Sequence, residues 1–386
     1  LLEVSEEGEE IKPKATKEEL DHLYWDRGMT LDEIAKLYDV SERTVRRWMD
    51  MYGIERRDRS EAARLAAGEY EMSLEDILDS LDKVEPVKYD PAPVENLSIP
   101  IPLKCLEKNR KLDATVTIVM SDLHLGHENH LPDTYWSTVS NLCRVLKGLS
   151  WLFNIRRANL VLNGDIVSGI GVYRGQEFQN IVSRGHWQVF VAEMVIKKTL
   201  EMIRKYLEIH RIYLVKGTHE QRENNYMLYL RKIFDPLAVY ASKSLILNVA
   251  EPIGNYNVLF THGRGRSSYY PVSYEQVRNI WKALRQLDVP IERVILGHTH
   301  WLTQEIDFEG ILVSVTGGFQ KWQLTVPQRP SGMLVILYCD GESVIIPVRP
   351  DPEIAKAELK DPSLEYKCMR YYAELLSEHM RGEPGN

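Results

Sequence analysis

The sequence is poor in cysteine. Only four occur in 386 residues, Cys105, Cys143, Cys339 and Cys368, and no two form a CxxC pair. That scarcity excludes a disulfide-stapled scaffold and a cysteine zinc knuckle, and it fits a reducing compartment. Long apolar runs are missing too, and no stretch approaches the ~18 residues of a membrane span. The acidic opening LLEVSEEGEE lacks the apolar core of a signal peptide, so the expectation is a cytoplasmic chain with no membrane partner. Excess positive charge is also absent. The 48 basic and 56 acidic residues leave a net charge of −8, which excludes a uniformly basic coat for nucleic acid but not a local basic patch. There is no internal repeat and no low-complexity tract. What remains is ordinary for a globular protein, 44% hydrophobic and 27% charged, with a length that allows two or three domains.

Patterning divides the chain into five parts. Residues 1–15 are acidic, with the composition of a disordered segment. Residues 16–60 read as a small all-α domain. Residues 61–112 read as a linker, with a short helix expected over 73–81. The prolines of PVKYDPAPVENLSIPIP then favour an extended chain. From 113 to 350, β-rich runs (ATVTIVM, ANLVLNGD, RIYLVKG, NYNVLFTHG, RVILGH) alternate with helical runs around 135–155, 187–208 and 273–287. This alternation predicts an α/β domain. Further strands are expected at 302–306, 311–316, 332–338 and 343–348. Residues 351–386 read as a charged helical tail.

In the small domain, Leu20, Leu23 and Tyr24 share one helical face. A second helix is expected over 31–38, with Thr30 as N-cap, Glu33 as its capping-box partner, and Ile34, Ala35 and Leu37 inward. Ser41 caps a third helix that buries Thr44, Val45 and Trp48. Residues 29–54, which include TLDEIAKLYDVSERTVRRWMDMYGI, resemble the helix-turn-helix of transposases, recombinases and sigma-factor-like regulators. The resemblance implies that the third helix enters the major groove of DNA. Arg43, Arg46 and Arg47, then Arg56, Arg57 and Arg59, would grip phosphates or read guanine. A homodimer is compatible with such a module. The alternative is a three-helix bundle for protein contacts, with the arginines as a solvated face.

Five polar clusters each end a predicted strand: Asp122-Leu-His124, Gly164-Asp165, Gly217-Thr218-His219-Glu220, His262-Gly263 and Gly297-His298-Thr299-His300. Carboxyl ends of strands are where an α/β sheet gathers its functional loops. Carboxylate oxygen with imidazole nitrogen suits Mn, Fe or Zn better than Mg alone. Two metals side by side need a shared ligand, for which an aspartate is suited. Any one cluster alone is as well explained by a turn or a satisfied polar pair; the information lies in five of them, in order.

This ordered set resembles the calcineurin-like metallophosphoesterase superfamily. The resemblance spans about residues 113–350 and implies a four-layer α-β-β-α sandwich preceded by the helix-turn-helix domain. It implies two divalent metals, manganese first and iron or zinc as alternatives. Carried over by position, Asp122, His124, Asp165 and His300 would hold the first metal. Asp165 as bridge, His262, His298 and Thr218 would hold the second. His219 would protonate the leaving oxygen while hydroxide attacks phosphorus in line. Two positions depart from the family pattern. Thr261 stands where the family has Gly, and Thr218 where it has an Asn ligand. Thr218 can bind through its hydroxyl or a water, or the second metal is weaker, or the residue is an engineered change.

Substrate contacts are expected from Arg222, Arg264 and Arg266, since arginines clamp phosphate oxygens bidentately. His127, His130, Tyr173, Arg174, Arg184, His186 and Trp187 are further candidates near the motifs. Trp281, Trp301 and Trp322 read as packing residues. The favoured function is a metal-dependent phosphodiesterase or nuclease targeted to DNA by its N-terminal module. A phosphomonoesterase acting on protein or nucleotide is the alternative. A DNA-binding regulator with a degenerate phosphoesterase domain is the third reading.

Overall fold

Ser41 Oγ accepts the backbone N–H of Thr44 at 3.2 Å. A side-chain oxygen in that place satisfies one of the donors that a helix start leaves unpaired. The computed structural model that shows this cap describes residues 13–26, 30–54, 111–173, 176–220, 225–263, 280, 284–285, 289–303, 305–308, 311–321 and 331–381. They belong to two units, divided after Ser73.

In the smaller unit, α1 (Lys17–Asp21) continues as a wider turn over His22–Asp26, followed by α2 (Leu31–Leu37) and α3 (Glu42–Tyr52). Thr16 and Glu19 form a reciprocal capping box at the start of α1, each side chain accepting the other's backbone N–H. Leu20, Tyr24, Ile34, Ala35, Val45, Trp48 and Met49 form the core. Two expectations fail here. Leu37 is exposed, because it lies off the face set by Leu31, Ile34, Ala35 and Tyr38. Thr44 is only half-buried, its hydroxyl lying 2.8 Å from Ser41 Oγ, and Met49 takes the core position instead. Gly53 closes α3 in the left-handed region at φ 63°, where glycine is the favoured residue.

The larger unit contains two sheets. The first runs in the order β11 (Glu342–Val348), β10 (Met333–Cys339), β1 (Leu112–Met120), β2 (Phe153–Asn163), β3 (Arg211–Val215), β4 (Ala238–Ala241). β1 to β4 are parallel, and β10 and β11 are antiparallel additions. Pro347 sits in β11, an edge strand, where a missing N–H is tolerated. The second sheet runs β5 (Ser244–Asn248), β6 (Asn257–Thr261), β7 (Arg293–Leu296), β9 (Ile311–Val315), β8 (Ile306–Phe308). Only Ser242 and Lys243 lie between β4 and β5, so the chain passes from the edge of one sheet directly to the edge of the other.

Strand periodicity assigns the layers. Val119, Val161, Val215, Leu334 and Ile336 face the second sheet and pack on Leu247, Val258, Phe260 and Ile295. Val116, Ile118, Leu160, Leu162, Val335 and Leu337, alternating with them, face helices. A slip of one residue would exchange these two sets. The helices on that side are α4 (Pro132–Leu152), α5 (Gly185–Arg204), α6 (Asn225–Ile233), α7 (Pro352–Lys360) and α8 (Leu364–Arg381). On the far side, Leu259, Val294, Leu296 and Val313 pack on helical Ile280 and Leu284, one turn apart. The order of layers is therefore α-β-β-α.

Several sequence expectations need correction. The strand expected over 302–306 is β8, at Ile306–Phe308. Thr303 Oγ1 accepts the N–H of Val315 and so takes the place of a ladder bond. β4, β5 and α6 were not anticipated. Cys339 is disulfide-bonded, while Cys143 and Cys368 are free and buried, so scarcity of cysteine does not mean a fully reduced chain. The helices expected over 73–81 and most of 273–287 lie outside the described residues.

The tail is structural. Leu364, Cys368, Tyr372, Leu375 and Leu376 of α8 are buried in the main core. Glu358 of α7 accepts the N–H groups of Asp133 and Thr134 at 2.9 and 2.8 Å. It thereby caps α4 from outside, because Leu131 at the N-cap offers no side-chain bond. Burial raises the Glu358 carboxyl. Glu358→Ala should destabilise the fold by ~2 kcal/mol in urea unfolding, by leaving buried donors unpaired. Glu358→Gln should recover part of that loss.

Candidate metal centre

The five polar clusters follow the ends of β1, β2, β3, β6 and β7. The first sheet supplies Asp122, His124, Asp165, Thr218 and His219, and the second supplies His262, His298 and His300. Potential ligand atoms within 4.8 Å of one another group as Asp122-His124-His300, His124-Asp165-His219 and Asp165-His262-His298. Asp165 belongs to two of these groups.

Backbone conformation brings them together. Asp122, His124, Asp165, His298 and His300 all have positive φ, between 47° and 69°. Non-glycine residues rarely adopt this region, and each instance costs on the order of 1–3 kcal/mol. Hydrogen bonds hold the strained loops in place. Asp122 N donates to Gly164 O and His124 N to Asp165 O, both at 3.0 Å. His298 N donates to the Asp122 carboxylate at 3.0 Å and His219 N to Asp165 Oδ1 at 2.8 Å. Buried Glu220 accepts from Gly217 N, Asp165 N, Ile166 N and Val167 N. Sequence reasoning gave Glu220 no role, although its place directly after His219 was the available signal. Gly217 is obligatory, since a Cβ there would lie 2.2 Å from Asp165 N and Oδ1.

The electrostatics are mutual. Burial alone would raise the Asp122 and Asp165 carboxyls. His300 and His262 outweigh it at Asp122, and His262 and His219 hold Asp165 well below the usual carboxylate range. Burial opposes charge on His262, yet Asp165 and Asp122 push it up to about 10. Burial, then His219 and His300, hold His124 well below the ordinary histidine value. Burial and the Asp165 charge raise Glu220.

These residues fit divalent metal. His262 Nδ1 donates to Asn163 O at 2.7 Å, which turns Nε2 toward Asp165 Oδ2, 2.8 Å away. The Nε2 atoms of His124 and His300 approach to 3.0 Å, and His300 Nε2 lies 3.1 Å from Asp122 Oδ1. Electron-rich atoms this close repel unless a cation or proton lies among them. Imidazole nitrogen with carboxylate oxygen is a donor set for manganese, iron or zinc. Thr218 Oγ1 donates to Asp165 Oδ2 at 2.9 Å. His219 Nδ1 is anchored on Ser168 O, with Nε2 3.9 Å from Asp165 Oδ2.

Other candidates divide. Arg222, Arg264, Arg266, Arg174, Arg56, Arg57, Arg59, Trp281 and Trp322 lie outside the described residues. His127 and His130 are buried rather than exposed to substrate. His130 Nδ1 donates to Leu123 O at 2.9 Å and its ring stacks on Tyr371 and Tyr372 of α8, so it supports the loop that carries Asp122 and His124. Arg184 and His186 are exposed at the start of α5, where His186 and Trp187 are in ring contact. Trp301 is half-buried. In the smaller unit Arg43, Arg46 and Arg47 are exposed along α3. Arg46 is paired with Glu42 at 2.5 Å, a surface contact worth only ~0–1 kcal/mol that a phosphate can displace. Among the described residues, no helix is long and apolar enough to cross a membrane.

The profile of the calcineurin-like phosphoesterase family matches residues 115–313, just over half of the chain. The chain belongs to this family. A homeodomain-like domain profile, of helix-turn-helix type, matches residues 22–60. No curated protein matches the chain by sequence. Among solved structures, vacuolar protein sorting 29 from Cryptosporidium parvum is similar at 14% identity and a TM-score of 0.34, covering 61% of this chain and 96% of its own. Vps29 from Entamoeba histolytica complexed with zinc is similar at 15% identity and 0.31, covering 61% and 98%. A 5'-nucleotidase from Candida albicans is similar at 12% identity and 0.36, covering 71% and 59%.

Burial holds the His127 imidazole down to about 3 and that of His130 to about 4. Above pH ~6.5 both are neutral, folded or unfolded, and contribute nothing to pH dependence. Below it the unfolded chain binds protons that the folded chain refuses. Stability is therefore lost as pH falls from ~6.5 toward 4, by up to about 1.4 kcal/mol per pH unit for each histidine. Calorimetry of the metal-free chain between pH 7 and 4.5 should show a falling Tm. A flat Tm would contradict their burial as neutral rings.

Proposed function

We propose that this chain is a two-metal phosphodiesterase that acts on DNA, brought to it by the helix-turn-helix domain. The observation that carries the reading is the position of Asp165, shared between two donor groups, with the anchored His219 beside it. Asp122, His124, Asp165 and His300 are the holders of one ion. Asp165, His262 and His298 hold the other, with Thr218 in the fourth place. When bound, the two ions, manganese first and iron or zinc as alternatives, supply Lewis acidity and acidify water for attack on phosphorus. His219 gives the proton from Nε2 to the leaving oxygen as the phosphorus–oxygen bond breaks. Arg222, Arg264 and Arg266 are assigned to the phosphate oxygens. On the DNA side, Arg43, Arg46 and Arg47 on α3 and the following Arg56 and Arg57 contact the duplex. The proposed layout is a DNA-binding domain over 16–60, a linker to 112 and a phosphoesterase domain over 113–350. A cytoplasmic location belongs to the same reading.

Thr218 makes the second site the weaker one. Its hydroxyl donates to Asp165 and directs a proton, not a lone pair, at the shared carboxylate. Hydrolysis of a chromogenic diester, a chromogenic monoester and end-labelled duplex DNA, each with added manganese, separates the readings. Diester and DNA cleavage are expected, and Thr218→Asn should raise both several-fold at limiting manganese. Turnover of the monoester alone would make the chain a phosphatase. DNA binding without turnover by either version would make it a regulator.

The two-module arrangement makes a separate prediction. Arg46→Ala with Arg47→Ala should weaken duplex binding at least tenfold and flatten its salt dependence by about two phosphate contacts. Turnover of the small chromogenic diester should fall far less. Equal loss of both activities would show that the modules do not act separately.

A further inference from the structure

Asp122 presents its two carboxylate oxygens to different neighbours. Oδ1 faces the imidazoles, with Nε2 of His300 at 3.1 Å, of His262 at 3.8 Å and of His124 at 3.9 Å. Oδ2 lies beside Gly297, where a Cβ would come within 2.9 Å of it. There the Ser121 hydroxyl donates to Oδ2. His298 N lies 3.0 Å from both oxygens and so does not choose between them. Ser121 is the group that tells the two apart.

The Ser121 hydroxyl is itself held. Buried hydroxyls elsewhere in this unit, those of Thr138 and Thr199, donate to carbonyls one helical turn back. Ser121 directs its single proton at a carboxylate instead, and its oxygen meets Thr316 Oγ1. With the serine proton committed, that contact takes the threonine proton. The Thr316 hydroxyl also lies 3.0 Å from Leu296 O, but that carbonyl already receives the Thr316 backbone N–H at 3.0 Å. Ser121, Asp122 and Thr316 are all fully buried. Ser121 directly follows β1 of the first sheet, and Thr316 directly follows β9 of the second. The two hydroxyls thus run as a chain from one sheet to a carboxylate carried by the other.

We infer that Ser121, backed by Thr316, is a positioning residue that keeps Asp122 a one-oxygen ligand and so sets which ion the first site prefers. The inference rests on the two-metal reading, in which Asp122 holds the first ion. An ionised carboxylate can accept on both oxygens, and one released from Ser121 is free to offer both to a cation. Calcium takes roughly six to eight oxygens in a flexible shell and often takes both from one carboxylate. Manganese, iron and zinc are served by a smaller shell that includes imidazole. Holding Oδ2 back therefore favours these ions over calcium. Groups that orient a metal ligand in this way govern affinity without touching the ion.

The test follows manganese binding to the full chain by the EPR signal of the free ion, with calcium as competitor. The wild type and Ser121→Thr should hold manganese at the tighter site against a large excess of calcium. Ser121→Ala should bind manganese there roughly tenfold more weakly, with calcium affinity unchanged or higher, so that the ratio of the two Kd values shifts toward calcium. Thr316→Val, which leaves Ser121 in place, should shift the ratio the same way by less, and it carries the test should Ser121→Ala fold poorly. Equal weakening of both ions would overturn the assignment, because a general loosening of the bay does not change the ratio. A shift that Ser121→Thr shares with Ser121→Ala would overturn it as well. One manganese per wild-type chain would remove the two-metal reading, and the ratio at that ion would still decide for or against Ser121. No manganese bound by the wild type would overturn both.

Discussion

Two buried carboxylates set the terms for the catalytic half of this molecule. Asp122 and Asp165 are essentially without solvent contact and interact with the same imidazoles. Taking like charges out of water side by side costs several kcal/mol each unless positive charge and hydrogen-bond donors surround them. The protein supplies donors first. Backbone N–H groups of His219 and His298 point at the carboxylates, and the Ser121 hydroxyl bonds to Asp122. The positive charge is left to His262 or to metal. Five left-handed residues in these loops follow from the same need, because an ordinary turn would aim the side chains apart.

The architecture and the residues of the centre were legible because each leaves a mark of local origin. The apolar and β-branched runs LDATVTIVM and MLVILYC, and polar clusters at strand ends, are written in consecutive residues. What could not be read depends on distant partners. Leu37 is apolar and helical yet exposed, since only the neighbouring helices define which face is inward. His127 and His130 lie close after the DxH cluster, and only the docking of α8 shows them to be interior. Glu220 stands in the third polar cluster with no role of its own in the sequence, and its four backbone bonds are made largely to the loop after β2. β4 is four residues long and β5 five, too short for periodicity to mark them.

The two units display their charged groups by different means. The small domain places Arg43, Arg46 and Arg47 on an exposed face of α3, where, in the DNA-binding reading proposed above, contacts to phosphate would be exchangeable and salt-sensitive. The phosphoesterase domain gathers its groups in a buried bay, where position rather than net charge decides the chemistry.

The donors of the centre come from two different sheets, and this gives the sandwich interior a second task. Asp122 and Asp165 hang from the first sheet, and His262, His298 and His300 from the second. Between the sheets lie Val119, Val161 and Val215 against Val258, Phe260 and Ile295. Near the bay, Asn163 Nδ2 reaches Thr261 O at 3.2 Å and the Ser121 hydroxyl bonds to Thr316. The thickness of that hydrocarbon layer is a gauge block. It fixes how far apart the two jaws of the bay stand, and so which ionic radius they close upon. Side-chain volume far from any ligand thereby becomes a variable of coordination chemistry.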